Sequence, residues 1–147
     1  MKLSAKGQYA IIALTDIARH GKTEPVALAD IALRQGLPLP YLEQLFAKLR
    51  RKGLVMSARG NKGGYSLSLE PGELSILDIM NAVEESIKTT RCGAESSLSC
   101  QGKTERCLTH HLWDGLGTQI EKYLGTVSLD DVIHQRFPED ERLKLCI

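Results

Sequence analysis

Pro40-Tyr41-Leu42-Glu43-Gln44-Leu45-Phe46-Ala47-Lys48-Leu49-Arg50-Arg51-Lys52-Gly53 is the stretch from which the fold can be read. Leu42, Leu45, Phe46 and Leu49 follow the i, i+3, i+4, i+7 spacing of one buried helical face. The other positions, Tyr41, Glu43, Gln44, Lys48, Arg50 and Arg51, carry hydrogen-bonding groups and mostly positive charge. Pro40 suits the first turn of a helix, where its missing N–H costs little, and Gly53 closes a helix expected over Tyr41 to Lys52. One face is made for a core, the other for a polar partner.

Working outward, Ser4 reads as the N-cap of a first helix with Tyr9, Ile12, Ala13, Asp16 and Ile17 as its stripe, stopped at Gly21. A shorter helix follows from Leu28 to Arg34, with Ile31 and Ala32 inward and Gln35-Gly36 ending it. Beyond Gly53, Leu54–Ala58 and Tyr65–Leu69 flank the turn Arg59-Gly60-Asn61-Lys62-Gly63-Gly64, a hairpin with two cations at its tip. Three helices and a hairpin make a winged helix-turn-helix, whose third helix enters the major groove while the wing follows the backbone or minor groove. The predicted class is therefore mainly α with a small β-hairpin wing.

Charge fits this division. Residues 1–70 hold 11 Lys+Arg against 5 Asp+Glu, and residues 71–147 hold 8 against 13, so a basic half precedes an acidic one. On a recognisable binding element, that excess points to double-stranded DNA. Arg59 is expected in the minor groove, where a narrow electronegative cleft attracts guanidinium. Lys62, the amides of Gly63 and Gly64, and Ser4, Lys6 and Tyr9 suit phosphate. Gln44 can pair with adenine, Tyr41 can reach phosphate or a thymine methyl, and Arg50 adds charge to the same face. Lys48 and Lys52 read equally well as DNA contacts or plain surface charge. Glu43 is repelled by the groove unless cytosine N4 donates to it, so we read it as a filter on operator choice. Substituting Glu43→Ala should widen the operator repertoire; an unchanged selection from random duplexes would reject that role.

After Glu70-Pro71-Gly72, Ser75 caps a helix from Ile76 to about Glu85 with Ile76, Ile79, Met80 and Val83 on one side. The longest helix is expected from about Thr109 to Gly125, where Leu112, Leu116, Ile120, Leu124 and Val127 share a face flanked by Trp113 and Tyr123. Such a stripe exceeds what a small chain can cover alone, so it reads as a dimerisation helix. Gly115 and Gly117 either weaken it by roughly 1 kcal/mol each or allow the close approach of a partner. The expected division is 1–70 winged domain, 71–90 linking helix, 91–108 cysteine-bearing loop, 109–127 dimerisation helix, and 128–147 short helix (Leu129 to Gln135, capped by Ser128) and tail. Between the two helices, Cys92, Cys100 and Cys107 are spaced C-x7-C-x6-C with His110 and His111 just after, ligand types that soft or borderline metals prefer. No apolar run approaches a membrane span, and Met1–Lys6 lacks the features of a secretory signal, so a cytoplasmic chain with reduced thiols is expected. Zinc on three thiolates and an imidazole, or a reversible disulfide, remain open on spacing alone. Catalysis finds no nucleophile–base pair or phosphate loop to rest on.

Ser4-Ala5-Lys6-Gly7-Gln8-Tyr9-Ala10, Tyr41-Leu42-Glu43-Gln44-Leu45-Phe46, Arg59-Gly60-Asn61-Lys62-Gly63-Gly64-Tyr65, and Arg91-Cys92 with Cys107-Leu108-Thr109-His110 together resemble the IscR type of bacterial winged-helix regulator, from Met1 to about Val132. The resemblance implies a homodimer that binds a pseudo-palindromic operator, receives a 2Fe–2S cluster from the assembly machinery and represses assembly genes when loaded. Carried over by position, Cys92, Cys100, Cys107 and His110 are its ligands. A histidine in place of a fourth thiolate raises the reduction potential and makes that bond compete with protons, which suits a sensor of cluster supply. The chain departs from the pattern in its longer inter-cysteine loop and in Pro40, where the family often has serine. Nitric-oxide sensors of the NsrR type hold a 4Fe–4S cluster with a carboxylate near the N-terminus, where this chain has Gln8. A small iron–sulfur electron carrier is the rival of another class, but it leaves Arg59, Gln44 and the basic half unexplained.

Overall fold

The computed structural model describes residues 4–85, 87, 89 and 108–138. Arg91, Cys92, Cys100, Cys107 and Cys146, and nearly all of the expected tail, lie outside them. In chain order the elements are α1 (Ala5–His20), α2 (Leu28–Gln35), α3 (Leu39–Arg51), β1 (Val55–Ala58), β2 (Gly64–Leu67), α4 (Ile76–Ala82), α5 (His110–Thr126) and α6 (Leu129–His134), with a 3-10 turn at Pro71–Glu73. Among the described residues no helix is long and apolar enough to cross a membrane.

The Ser4 hydroxyl accepts from the Lys6 amide and starts α1, which packs against α2, α3, β2, α4 and α6. Its buried face is Ala10, Ala13, Leu14 and Ile17, one position round from the expected stripe, and Ile12 points outward. Two alanines on that face let neighbouring helices approach closely, which a central helix requires. Gly36 ends α2 in the left-handed conformation, at φ 64°. Pro40 sits in the first turn of α3, which begins at Leu39, slightly earlier than expected. Leu42, Leu45, Phe46 and Leu49 are all buried, as the spacing predicted.

The wing is antiparallel, in the register Val55↔Leu67 to Ala58↔Gly64. Val26, between α1 and α2, forms an isolated antiparallel bridge to β2: its amide donates to Tyr65 O at 2.9 Å and its carbonyl accepts from Tyr65 N at 2.8 Å. The backbones approach so closely that a Cβ on Gly64 would stand 2.4 Å from the Val26 carbonyl carbon. The Phe46 and Tyr65 rings meet edge-on at 4.9 Å and tie the wing to α3.

Leu74 and Ile76 pair with Leu129 and Val127 across an isolated bridge, Leu129 N to Leu74 O at 2.8 Å and Ile76 N to Val127 O at 2.9 Å. Ser75 and Ser128, facing each other there, cap α4 and α6. Ile76, Ile79, Met80, Val83, Val127 and Leu129 join the core built on α1 and α3. Helix α4 ends at Ala82 rather than near Glu85, because Glu84 turns left-handed at φ 60°. Glu84 N then donates to Asn81 O at 3.1 Å and Glu85 N to Met80 O at 2.9 Å, a reversal that glycine normally supplies. Holding a glutamate there costs about 1 kcal/mol or more.

Helix α5 leaves much of its apolar stripe open, with Leu112 64% and Leu116 40% exposed and Trp113 and Tyr123 also outward. Toward its C-terminus, Leu124 packs on the core and Val127 just beyond is buried. Gly117 does admit a close neighbour, but from its own chain: a Cβ there would stand 2.6 Å from Thr89 Oγ1, which donates to Trp113 O at 2.6 Å.

Candidate nucleic-acid interface and metal site

The outer face of α3 presents Glu43, Gln44, Arg50 and Arg51 to solvent. Tyr41, half-buried at its start, meets Tyr9 of α1 edge-on with ring centroids 5.6 Å apart. That contact places the two tyrosines side by side across α1 and α3. Arg50 Nη1 donates to Ser57 Oγ at 3.2 Å, linking α3 to β1. Arg59 is exposed at the wing, and Lys62 pairs with Glu24 at 2.8 Å. Both members of that pair are well exposed, so it is worth no more than about 1 kcal/mol. The Gly63 amide donates to Gly60 O at 2.9 Å inside the turn. Lys48, whose role the sequence left open, ion-pairs with Glu84. Ser4 gives both its amide, at 3.0 Å, and its hydroxyl to Glu85.

Two buried carboxylates hold the frame behind this face. Asp16 of α1 accepts from Arg34 Nη2 at 2.6 Å, Arg34 Nε at 3.1 Å and Gln35 Nε2 at 2.7 Å, which locks α2 onto α1. Burial pushes its carboxyl up, yet these hydrogen bonds and the charges of Arg34 and His20 together hold it below the ordinary range. Glu85 behaves alike: burial raises it, and hydrogen bonds from Ser4 and the Gly7 amide, with the Lys6 charge, bring it below the usual value. Sequence reasoning placed Asp16 in an apolar stripe and singled out neither Arg34, Glu84 nor Glu85. Partners so distant along the chain leave no local signal.

Of the expected ligands, Cys92, Cys100 and Cys107 lie outside the described residues, while His110 opens α5. Its ring is buried, 6% exposed, and its Nδ1 has no hydrogen-bond partner among the described residues. An unsatisfied buried ring nitrogen costs on the order of 1–3 kcal/mol, so a metal bond there fits the site's chemistry. His111 is exposed and lies edge-on to His110, centroids 5.5 Å apart.

Three α-helices with a polar third helix and a hairpin wing define a winged-helix transcriptional regulator. Residues 3–135 match the family profile Rrf2, described as iron-dependent transcriptional regulator, and the chain belongs to that family. It is 47% identical to the HTH-type transcriptional regulator IscR of Xenorhabdus nematophila over 133 residues, 90% of this chain and 79% of that one. To IscR of Aliivibrio salmonicida it is 49% identical over 90% of this chain and 77% of the relative. Among solved structures, T. potens IscR aligns with a TM-score of 0.72 at 35% identity, over 97% of this chain and 96% of that chain. CymR, the global cysteine regulator of B. subtilis, aligns at 0.76 and 30% identity, over 92% of this chain and 98% of that chain.

Proposed function

We propose that this regulator is a cytoplasmic homodimer joined along α5 that reads a pseudo-palindromic operator and senses iron–sulfur supply through a 2Fe–2S cluster. The division follows the chain: 1–70 for DNA, 71–90 as connection, 91–108 for the cluster, 109–127 for dimerisation and 128–147 as closing helix and tail. Gln44, Glu43 and Tyr41 face the major groove, Arg59 enters the minor groove, and Ser4, Lys6, Tyr9, Arg50, Lys62, Gly63 and Gly64 contact phosphates. Cys92, Cys100, Cys107 and His110 would hold the cluster. When bound, it supplies a labile, redox-responsive crosslink between the loop and the foot of α5. His110 contributes a pre-placed imidazole whose Nδ1 is already dehydrated, so it spends little on ordering. Loop state and dimer helix thus meet at one residue, which allows cluster occupancy to bias operator choice and repress assembly genes.

The observation that carries this reading is the buried His110 Nδ1, without a hydrogen-bond partner among the described residues, at the start of a helix with an uncovered apolar face. Anaerobic purification with iron and sulfide quantitation, alongside DNA binding before and after chelation, tests it. Equal iron and sulfide, two of each per chain, are expected, with His110→Ala bleaching the visible absorption and His111→Ala sparing it. Zinc in place of iron, or four irons per chain, would overturn the 2Fe–2S assignment. Loss of colour in His111→Ala alone would overturn the choice of histidine.

A further inference from the structure

Two adjacent carboxylates, seven residues or so ahead of Cys92, grip two separate DNA-facing elements. Glu85, 7% exposed, takes the Ser4 amide at 3.0 Å and the Ser4 hydroxyl, both at the start of α1. Glu84 ion-pairs with Lys48 in the last turn of α3, with the charges of Lys6 and Arg51 also nearby. Between them the backbone keeps a left-handed turn at Glu84 that glycine would adopt more easily. A strained position occupied by a reaching side chain is a functional signature, provided that the outlier comes first and the role second.

We propose that Glu84 and Glu85 form a two-pronged clasp through which the cysteine stretch sets the start of α1 and the end of α3. The proposal rests on the reading above, that these elements meet DNA and that the stretch carries the cluster. With the clasp closed, both donors of Ser4 are spent on Glu85 and Lys48 is neutralised by Glu84. Drawing residues 84–85 away returns the Ser4 donors, the positive end of α1 and the Lys48 ammonium to an incoming phosphate. The two loop states then differ in their contacts to DNA, which is what a shift of binding by cluster occupancy requires.

A DNA duplex selected from a random pool by the wild-type protein serves as the probe, its affinity measured by fluorescence anisotropy for loaded and chelated protein at fixed salt. The readout is the ratio of the two affinities. Glu84→Gly, which keeps the turn, and Glu85→Ala are each expected to pull that ratio toward one by about fivefold or more, and Glu85→Gln, which keeps an acceptor for Ser4, to recover part of it. Variants that shift both affinities equally, leaving the wild-type ratio, would show a merely structural role and overturn the clasp. A wild-type ratio of one would instead overturn the cluster switch and the clasp with it. Glu84 is exposed, so Glu84→Gly keeps the test decisive should Glu85→Ala fail to fold.

Discussion

On the proposed dimer joined along α5, Leu116→Glu is expected to yield monomers and to weaken operator binding by about 100-fold or more. Leu116 stands mid-way along α5 beside Leu112 and Trp113, all outward in the single chain. Apolar surface removed from water gains roughly 25 cal/mol per Å², so a helix face of this size is a strong contact when paired and an aggregation hazard when not. A glutamate at its centre would be buried without a partner in the dimer yet solvated in the monomer. The equilibrium then moves toward the monomer while the fold stays intact. A monomer can engage only one half-site, and the advantage of simultaneous engagement disappears. Sedimentation and anisotropy titration on the same samples check both parts. A Leu116→Glu protein that remains dimeric with unchanged operator affinity would exclude α5 as the interface.

Arg34→Leu should destabilise the fold by about 3 kcal/mol at neutral pH, the low end of the range for breaking a buried ion pair. The low end applies because the Arg34 side chain is 35% exposed, so water screens part of the interaction. The asymmetry within the pair sets the ranking. Asp16 is fully buried, so losing arginine strands its carboxylate with Gln35 and His20, whereas in Asp16→Asn the arginine can still reach water. Asp16→Asn should accordingly cost less, about 1–2 kcal/mol. In the wild type Asp16 is depressed when folded, so its contribution is complete above the ordinary carboxylate value and is lost as the pH falls through the lower folded value. In Arg34→Leu the carboxyl is instead raised by burial, and acid relieves it. The stability gap between the two proteins should therefore narrow on acidification in urea titrations; a gap independent of pH would exclude the buried carboxylate as the cause.

The contrast between α3 and α4 shows what a sequence makes legible. In α3 the four buried positions and the polar face follow from spacing, because one amphipathic helix on one core has a single solution. The wing is legible for a similar reason: its glycines and flanking β-formers are local signals. The end of α4 is not, since Glu84 carries no stop signal and its turn is held by Lys48 on another helix. Spacing alone puts Asp16 in the apolar stripe of α1 and gives no sign of its ion pair, because its partners lie 18 and 19 residues away. Ile12 was placed inward because several helices surround α1, and periodicity cannot say which of its faces the tightest neighbours choose. Among the ligand candidates, spacing brought His110 and His111 forward together; burial separates them.

The bridge between Ser75 and Ser128 ties the chain entering α4 to the chain leaving α5, so the residues between those two helices are joined to the body by ends held together at their base. Closing a chain at a fixed knot costs only about 0.6 kcal/mol more for each doubling of its length. Residues can therefore be added or removed between the cysteines without disturbing the register of what lies on either side. A lineage is free to re-tune its sensor by changing loop length while the DNA-reading scaffold, and the sequence it recognises, stay in place.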